Sequence, residues 1–218
     1  MTPHPGADGL SGGVSGVVVL TDRRVARRPL AEVVAAAVAG GVRWVLLREK
    51  DLPRAERFAL AADLRPILAE AGGTLIVAGP DPLLPAHSAA VHLSASDPGP
   101  PPRADLVGRS CHDEAELRRL RTEDYVTLSP VYPTRTKPGY GPALGPAGLA
   151  GLIRLSPVPV LALGGIETPA QVRACRQAGA VGVAVLGAIM RSPDPQQTAA
   201  ALTSAFQAAS TSNVEEDG

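Results

Sequence analysis

The sequence predicts an α/β fold, a single (β/α)₈ TIM barrel, on three observations. Eight short apolar runs rich in β-branched residues alternate with alanine-rich helical stretches, the pattern of parallel strands joined by crossover helices. The chain has 218 residues, enough for one sizeable core yet compact for this fold, which fits one helix replaced by a proline-rich loop. No glycine-rich nucleotide fingerprint follows the first strand, which argues against the alternative of a doubly wound open sheet.

Residues 1–13, rich in Gly and Ser, read as a disordered tail, 14–209 as the barrel, and 210–218 as a polar, acidic tail. The first strand is expected at 17–20 and its helix at 30–39. The second strand spans 44–47, followed by a helix over 54–71 in which Pro66 removes a donor and invites a kink. A third strand at 75–77 precedes a weak helix at 82–88, and a fourth lies at 91–93. Residues 96–103 hold too many prolines for a regular helix, so a loop stands there. The fifth strand opens at 106–108, and Asp113 caps a helix over 113–120. The sixth strand, 125–128, leads into a Pro/Gly loop and a helix at 146–155 with proline in its first turn. The seventh strand is placed at 158–163, and its helix at 168–178 is capped by Thr168 and stopped by Gly179. An eighth strand at 181–186 and a last helix at 195–209 close the pattern.

Composition narrows the function. Formal net charge is +0 and aromatic content is 3%, so neither a basic surface nor stacking platforms favour nucleic acid. Cys111 and Cys175 stand far apart outside any CxxC pattern and read as small buried apolar residues. No apolar run reaches membrane-spanning length and residues 1–13 lack a signal-peptide core, so a cytoplasmic protein without membrane partners is expected. A homo-oligomer stays open.

In such barrels the reactive groups sit at the C-terminal ends of the strands. That filter selects the loop at 129–141, where Thr134, Thr136, Arg135 and Lys137 are interleaved with Pro and Gly, a mixture suited to an anion. Gly164 and Gly165, then Gly187 and Ala188, leave the seventh and eighth strands and offer backbone to a phosphate. Arg48 and Lys50 flank Glu49 at the second exit and share one face of an extended chain, with Glu49 turned the other way into an ion pair. His92 lies within an apolar strand and reads as a hydrogen-bonded core residue, whereas His112 stands at a strand exit beside Ser110. Asp97 either binds magnesium or simply forms a turn next to Pro98.

With these residues in place, the chain resembles the family of thiamine phosphate synthase and the related thiazole tautomerase. The resemblance covers about 17–208 and rests on ordered motifs: LREK at 47–50, VHL at 91–93, GRSCH at 108–112, DYVTLSPVYPTRTKPG at 124–139, LGGI at 163–166 and AGAVGVAV at 178–185. It implies a dissociative displacement in which a pyrimidine diphosphate loses pyrophosphate and a thiazole phosphate captures the pyrimidine cation. By position, Arg48 and Lys50 would hold the pyrophosphate, with Ser110 at the pyrimidine and Asp97 on Mg²⁺. Thr134, Thr136 and Lys137 would bridge the two small phosphorylated substrates. Gly164, Gly165, Gly187 and Ala188 would seat the thiazole phosphate. The chain departs from the synthase pattern at Leu46, at Ala78 and Gly79, and at Ser94 and Ala95, where that pattern has Gln, Asn-Asp and Gly-Gln. One magnesium ligand and two polar pyrimidine contacts are thereby missing. The tautomerase branch needs no metal pair, but its basic His is Pro130 here, which leaves His112 as a substitute. A synthase is the leading expectation, a tautomerase the second, and a non-catalytic thiazole-phosphate binder the third.

Overall fold

The computed structural model describes residues 13–83, 89–97, 104–134 and 141–211. Eight parallel strands close into a barrel in chain order: β1 (Gly16–Leu20), β2 (Trp44–Leu47), β3 (Thr74–Ala78), β4 (Ala90–Leu93), β5 (Leu106–Cys111), β6 (Tyr125–Leu128), β7 (Val160–Leu163) and β8 (Gly182–Val185). β1 closes the ring by pairing with both neighbours, Val19 lying opposite Val45 on β2 and Val185 on β8. The expected (β/α)₈ architecture is the observed one. Around it run α1 (Leu30–Ala39), α2 (Arg54–Glu70), α3 (Glu114–Leu117), α4 (Gly145–Ile153), α5 (Pro169–Gln177), α6 (Gly187–Met190) and α7 (Pro195–Thr211).

The two-residue period of a strand divides the apolar residues between two cores. Val17, Val19, Val45, Leu47, Val126, Leu128, Val183 and Val185 face outward against the helices. Val18, Leu20, Trp44, Leu46, Ile76, Ala78, Ala90, Leu106, Tyr125, Leu161 and Ala184 fill the barrel interior. Extending that alternation one step toward the C-terminal mouth puts Arg48, His92, Ser110 and Thr127 on the interior face too. The lumen therefore changes from apolar to polar at the mouth.

Several local expectations need revision. β5 runs to Cys111, which makes Ser110 a strand residue. α3 keeps its cap, with Asp113 Oδ1 accepting from Glu116 N at 2.8 Å, but it ends at Leu117. Glu123 Oε2 collects the backbone N–H groups of Arg121 and Thr122, and that side-chain bonding turns the chain toward β6. α2 continues through Pro66, which is exposed, so the carbonyl that proline leaves unpaired can be met by water. The short helix α6 had no sequence signal beyond its glycine. Most of the helix expected at 82–88, most of the proline-rich loop and nearly all of both tails lie outside the described residues. No described helix is long and apolar enough to cross a membrane.

Candidate active site

A cavity of about 560 Å³ opens at the C-terminal mouth of the barrel. Arg48, Lys50, Ser110, His112, Thr134, Gly164, Gly165 and Gly187 all line it. Eight of the sequence-selected residues, spread over five strand exits, thus share one space. Asp97 stands at its edge through Lys50, whose Nζ is 4.0 Å from Asp97 Oδ2. Ala188 instead packs, partly buried, against the outer core. Thr136 and Lys137, with Arg135, lie outside the described residues.

The residue between the two cations of the second exit is itself tied to Arg23. Glu49 is 2% exposed and accepts from Arg23 N and Arg23 Nη1, both at 3.0 Å, while Arg23 also grips Asp51 at 3.0 and 2.8 Å. Those bonds hold Glu49 beside Arg23, while Arg48 and Lys50 on either side of it line the cavity, the chain turning here through a bond from Lys50 N–H to Arg48 O. Arg48 is further anchored by its backbone N–H, which donates to the buried Thr21 Oγ1 at 3.0 Å. The ion pair foreseen for Glu49 is present, with Arg23 as its partner.

Across the mouth, Gly164 (φ +100°) and Gly165 (φ +67°) take a left-handed backbone. A Cβ on Gly165 would lie 2.6 Å from Tyr132 O, so only glycine fits there. With no side chains, the β7 exit presents bare backbone to the cavity, a surface suited to phosphate. Arg191, whose guanidinium lies over Gly187, lines the same side and donates from Nη2 to Glu167 Oε1 at 2.7 Å. Sequence reasoning passed over Arg191 and Glu167 because the strand-exit filter stopped at the glycines. Their charged type, within four residues of those exits, was the available signal.

Between these walls sits a polar cluster. His92 Nε2 lies 3.0 Å from Ser110 Oγ and 3.4 Å from Thr127 Oγ1, and Nδ1 lies 3.1 Å from Tyr125 Oη. Burial, aided by the positive charges of Lys50 and Arg109, pushes His92 down to about 3, so the ring is neutral. Desolvation raises Tyr125 above the usual phenol range. Further round, His112 Nδ1 lies 2.8 Å from Glu116 Oε2, which also accepts the His112 N–H at 2.7 Å, and both residues line the cavity. The i,i+4 spacing of His112 and Glu116 could have been read from the sequence. Cys111 and Cys175 are buried and free, their thiols pushed by burial up to about 12 and about 11, as inert packing residues should be.

The residues present do not fit a protein-built magnesium centre. Among the described residues no three His, Cys, Asp or Glu converge. Asp97 Oδ2 is engaged by Ser94 N at 2.6 Å and by Lys50. Asp81, two residues past Gly79, is drawn to Arg54 at 2.5 Å and holds Leu83 N at 2.9 Å.

The comparisons with known proteins agree with this fold. The family model described as thiamine monophosphate synthase matches residues 17–189. A Geobacter sulfurreducens relative is 39% identical over 196 residues, covering 84% of this chain and 91% of its own. A thiamine-phosphate synthase from a Roseiflexus species is 35% identical over 210 residues, covering 92% of this chain and 86% of its own. Among solved structures, a thiamine phosphate pyrophosphorylase from Pyrococcus furiosus superposes with a TM-score of 0.76 at 24% identity, over 89% of this chain and 96% of that one, a likeness of fold. On the extent of the match and the identity of its relatives, this chain belongs to the thiamine monophosphate synthase family.

Proposed function

We propose that this chain is a transferase that couples hydroxymethylpyrimidine diphosphate to thiazole phosphate, forming thiamine phosphate and releasing pyrophosphate. One observation carries the reading: Arg48 and Lys50 share a single cavity with the Gly164, Gly165 and Gly187 backbone. That arrangement offers two anion seats of different character, Arg48 and Lys50 at the β2 exit and, at the β7 and β8 exits, glycine backbone joined by the Arg191 guanidinium. The cations suit the more highly charged diphosphate, and the glycine exits suit a monophosphate.

In the reaction, the C–O bond between the pyrimidine methylene and the diphosphate breaks, and its electron pair leaves with pyrophosphate. The thiazole nitrogen then donates its lone pair to form the C–N bond. No base is required for that exchange. What it requires is charge stabilisation on the departing group, which preorganised cations supply most strongly where water is thinned. Arg48 and Lys50 are assigned that task, joined from the 129–141 loop by Thr134, Thr136 and Lys137. Ser110 contacts the pyrimidine. Magnesium would add charge neutralisation if carried in by the diphosphate; Asp97, beside Lys50, is the residue that would meet it from the protein side. Small phosphorylated heterocycles as substrates are in keeping with a cytoplasmic enzyme.

The test is incubation with both substrates and detection of thiamine phosphate and pyrophosphate in equal amounts. Tight binding of both substrates without either product would overturn the assignment. The His112–Glu116 pair favours a second reading, isomerisation of a thiazole carboxylate phosphate, because a carboxylate-held imidazole facing the cavity is equipped to move a proton. Turnover of that compound in the presence of a chelator, with no coupling activity, would select it.

A further inference from the structure

The buried cluster at the middle of the mouth contains more than core packing requires. Gly108 on β5 stands opposite His92 on β4 and opposite Tyr125 on β6. A Cβ there would lie 2.1 Å from Tyr125 Cζ and 2.6 Å from His92 Nδ1. The glycine lets a phenol and an imidazole from two non-adjacent strands meet across the strand between them, ring centres 5.5 Å apart. We propose that Tyr125, His92 and Ser110 form a directional hydrogen-bond relay, in which His92 is a positioning residue that turns the Ser110 hydroxyl hydrogen toward the cavity.

The direction follows from satisfaction of donors. Tyr125 is 2% exposed, and His92 is the one hydrogen-bond partner of its hydroxyl among the described residues. If Tyr125 accepted from Nδ1–H, its own O–H would be buried with nothing to donate to, whereas donating leaves only a lone pair unmet. Tyr125 Oη–H therefore donates to Nδ1, and the neutral ring must carry its proton on Nε2. Nε2–H donates to Ser110 Oγ at 3.0 Å, and the weaker Thr127 Oγ1–H donor approaches the same oxygen at 3.4 Å. With its oxygen serving as acceptor on the protein side, Ser110 has its hydrogen left for a ligand. It reads an acceptor atom, such as a ring nitrogen, and disfavours a donor at that spot. Naming that ligand as the pyrimidine rests on the function proposed above; the relay itself does not.

The experiment is long-range ¹H–¹⁵N correlation on the full-length protein with ¹⁵N-labelled histidine, His92→Gln identifying the His92 signals. The expected result is a neutral His92 with its proton on Nε2 throughout about pH 5 to pH 8, where an unperturbed imidazole would titrate. In Tyr125→Phe the ring should shift toward the Nδ1–H form, and kcat/KM for coupling should fall about tenfold. In a Ser110→Ala background the same Tyr125→Phe change should cost nothing further, since the tyrosine acts through the serine. A His92 that holds its proton on Nδ1, or titrates in that range, overturns the relay whether or not Tyr125→Phe folds. Equal cost of Tyr125→Phe in both backgrounds reduces Tyr125 to a packing residue and overturns it as well. If the protein forms no thiamine phosphate, the proposed function fails while the tautomer measurement still judges the relay.

Discussion

At the scale of single residues, the cavity separates groups that supply charge from groups that supply space. Arg48 is the clearest of the first kind, a cation aimed at the mouth by the Thr21 bond at its backbone. Arg48→Ala is expected to lower kcat/KM for the diphosphate substrate about 100-fold, the usual loss when one preorganised charge contact is removed. The binding of thiazole phosphate alone should change little, and calorimetry with each substrate separately measures the contrast. Equal weakening of both would mean that the two anions share one seat. Gly165 is the second kind. Gly165→Ala would place a methyl group against Tyr132 O in a backbone region that costs a non-glycine residue about 1 kcal/mol or more. The expected outcome is a raised KM for thiazole phosphate together with a lower Tm. An unchanged KM would remove this exit from the phosphate seat.

At the scale of elements, the loop from β7 into α5 shows how a helix cap can serve a binding site. Thr168 Oγ1 accepts from Gln171 N at 3.3 Å, and Gln171 Oε1 accepts from the backbone N–H of Glu167 at 2.8 Å and of Thr168 at 3.0 Å. The same amide donates from Nε2 to Gly165 O at 3.2 Å. One glutamine thus closes the capping box and ties it to the proposed phosphate seat. Gln171→Ala should cost about 1 kcal/mol in denaturant unfolding and raise the thiazole phosphate KM several-fold. A stability loss with unchanged KM would confine Gln171 to capping. The Thr168 cap was legible in the sequence because a hydroxyl before a proline-led helix is a local signal. The Gln171 bond to Gly165 was not, since it depends on how tightly the loop folds back. The short α6 was illegible for a related reason: four residues carry too little pattern to distinguish a helical turn from a loop.

At the scale of the whole molecule, the barrel and its mouth were legible because strand order, alternation and exit positions follow from local runs. What the sequence could not show were contacts set by register across neighbouring strands. His92 reads as a buried histidine from its apolar flanks, but its bonds to Tyr125 and Ser110 depend on how β4, β5 and β6 align. That alignment has a consequence for the stability of the entire fold. His92 is held down to about 3 in the native barrel, by burial first and then by Lys50 and Arg109, with Asp97 opposing. In the unfolded chain it titrates near the ordinary imidazole value of 6.5. Between those two values the unfolded state binds more protons than the native state, so stability rises with pH there. The stabilisation is complete above about pH 6.5 and is lost as pH falls toward about 3, on the order of 1.4 kcal/mol per pH unit while the window is fully open. Asp22, held low by its hydrogen bond to Arg24, and Asp81, held low by Arg54, lose their stabilisation only below their ordinary 3.8, so they act at the acid end of the range. Urea unfolding at successive pH values should therefore show a slope beginning well above the carboxylate range, and His92→Gln should flatten that slope while leaving the acid end intact. A wild-type stability that stays level from about pH 6.5 down to pH 4 would show that His92 is not kept neutral, and the buried polar cluster would need a different protonation state.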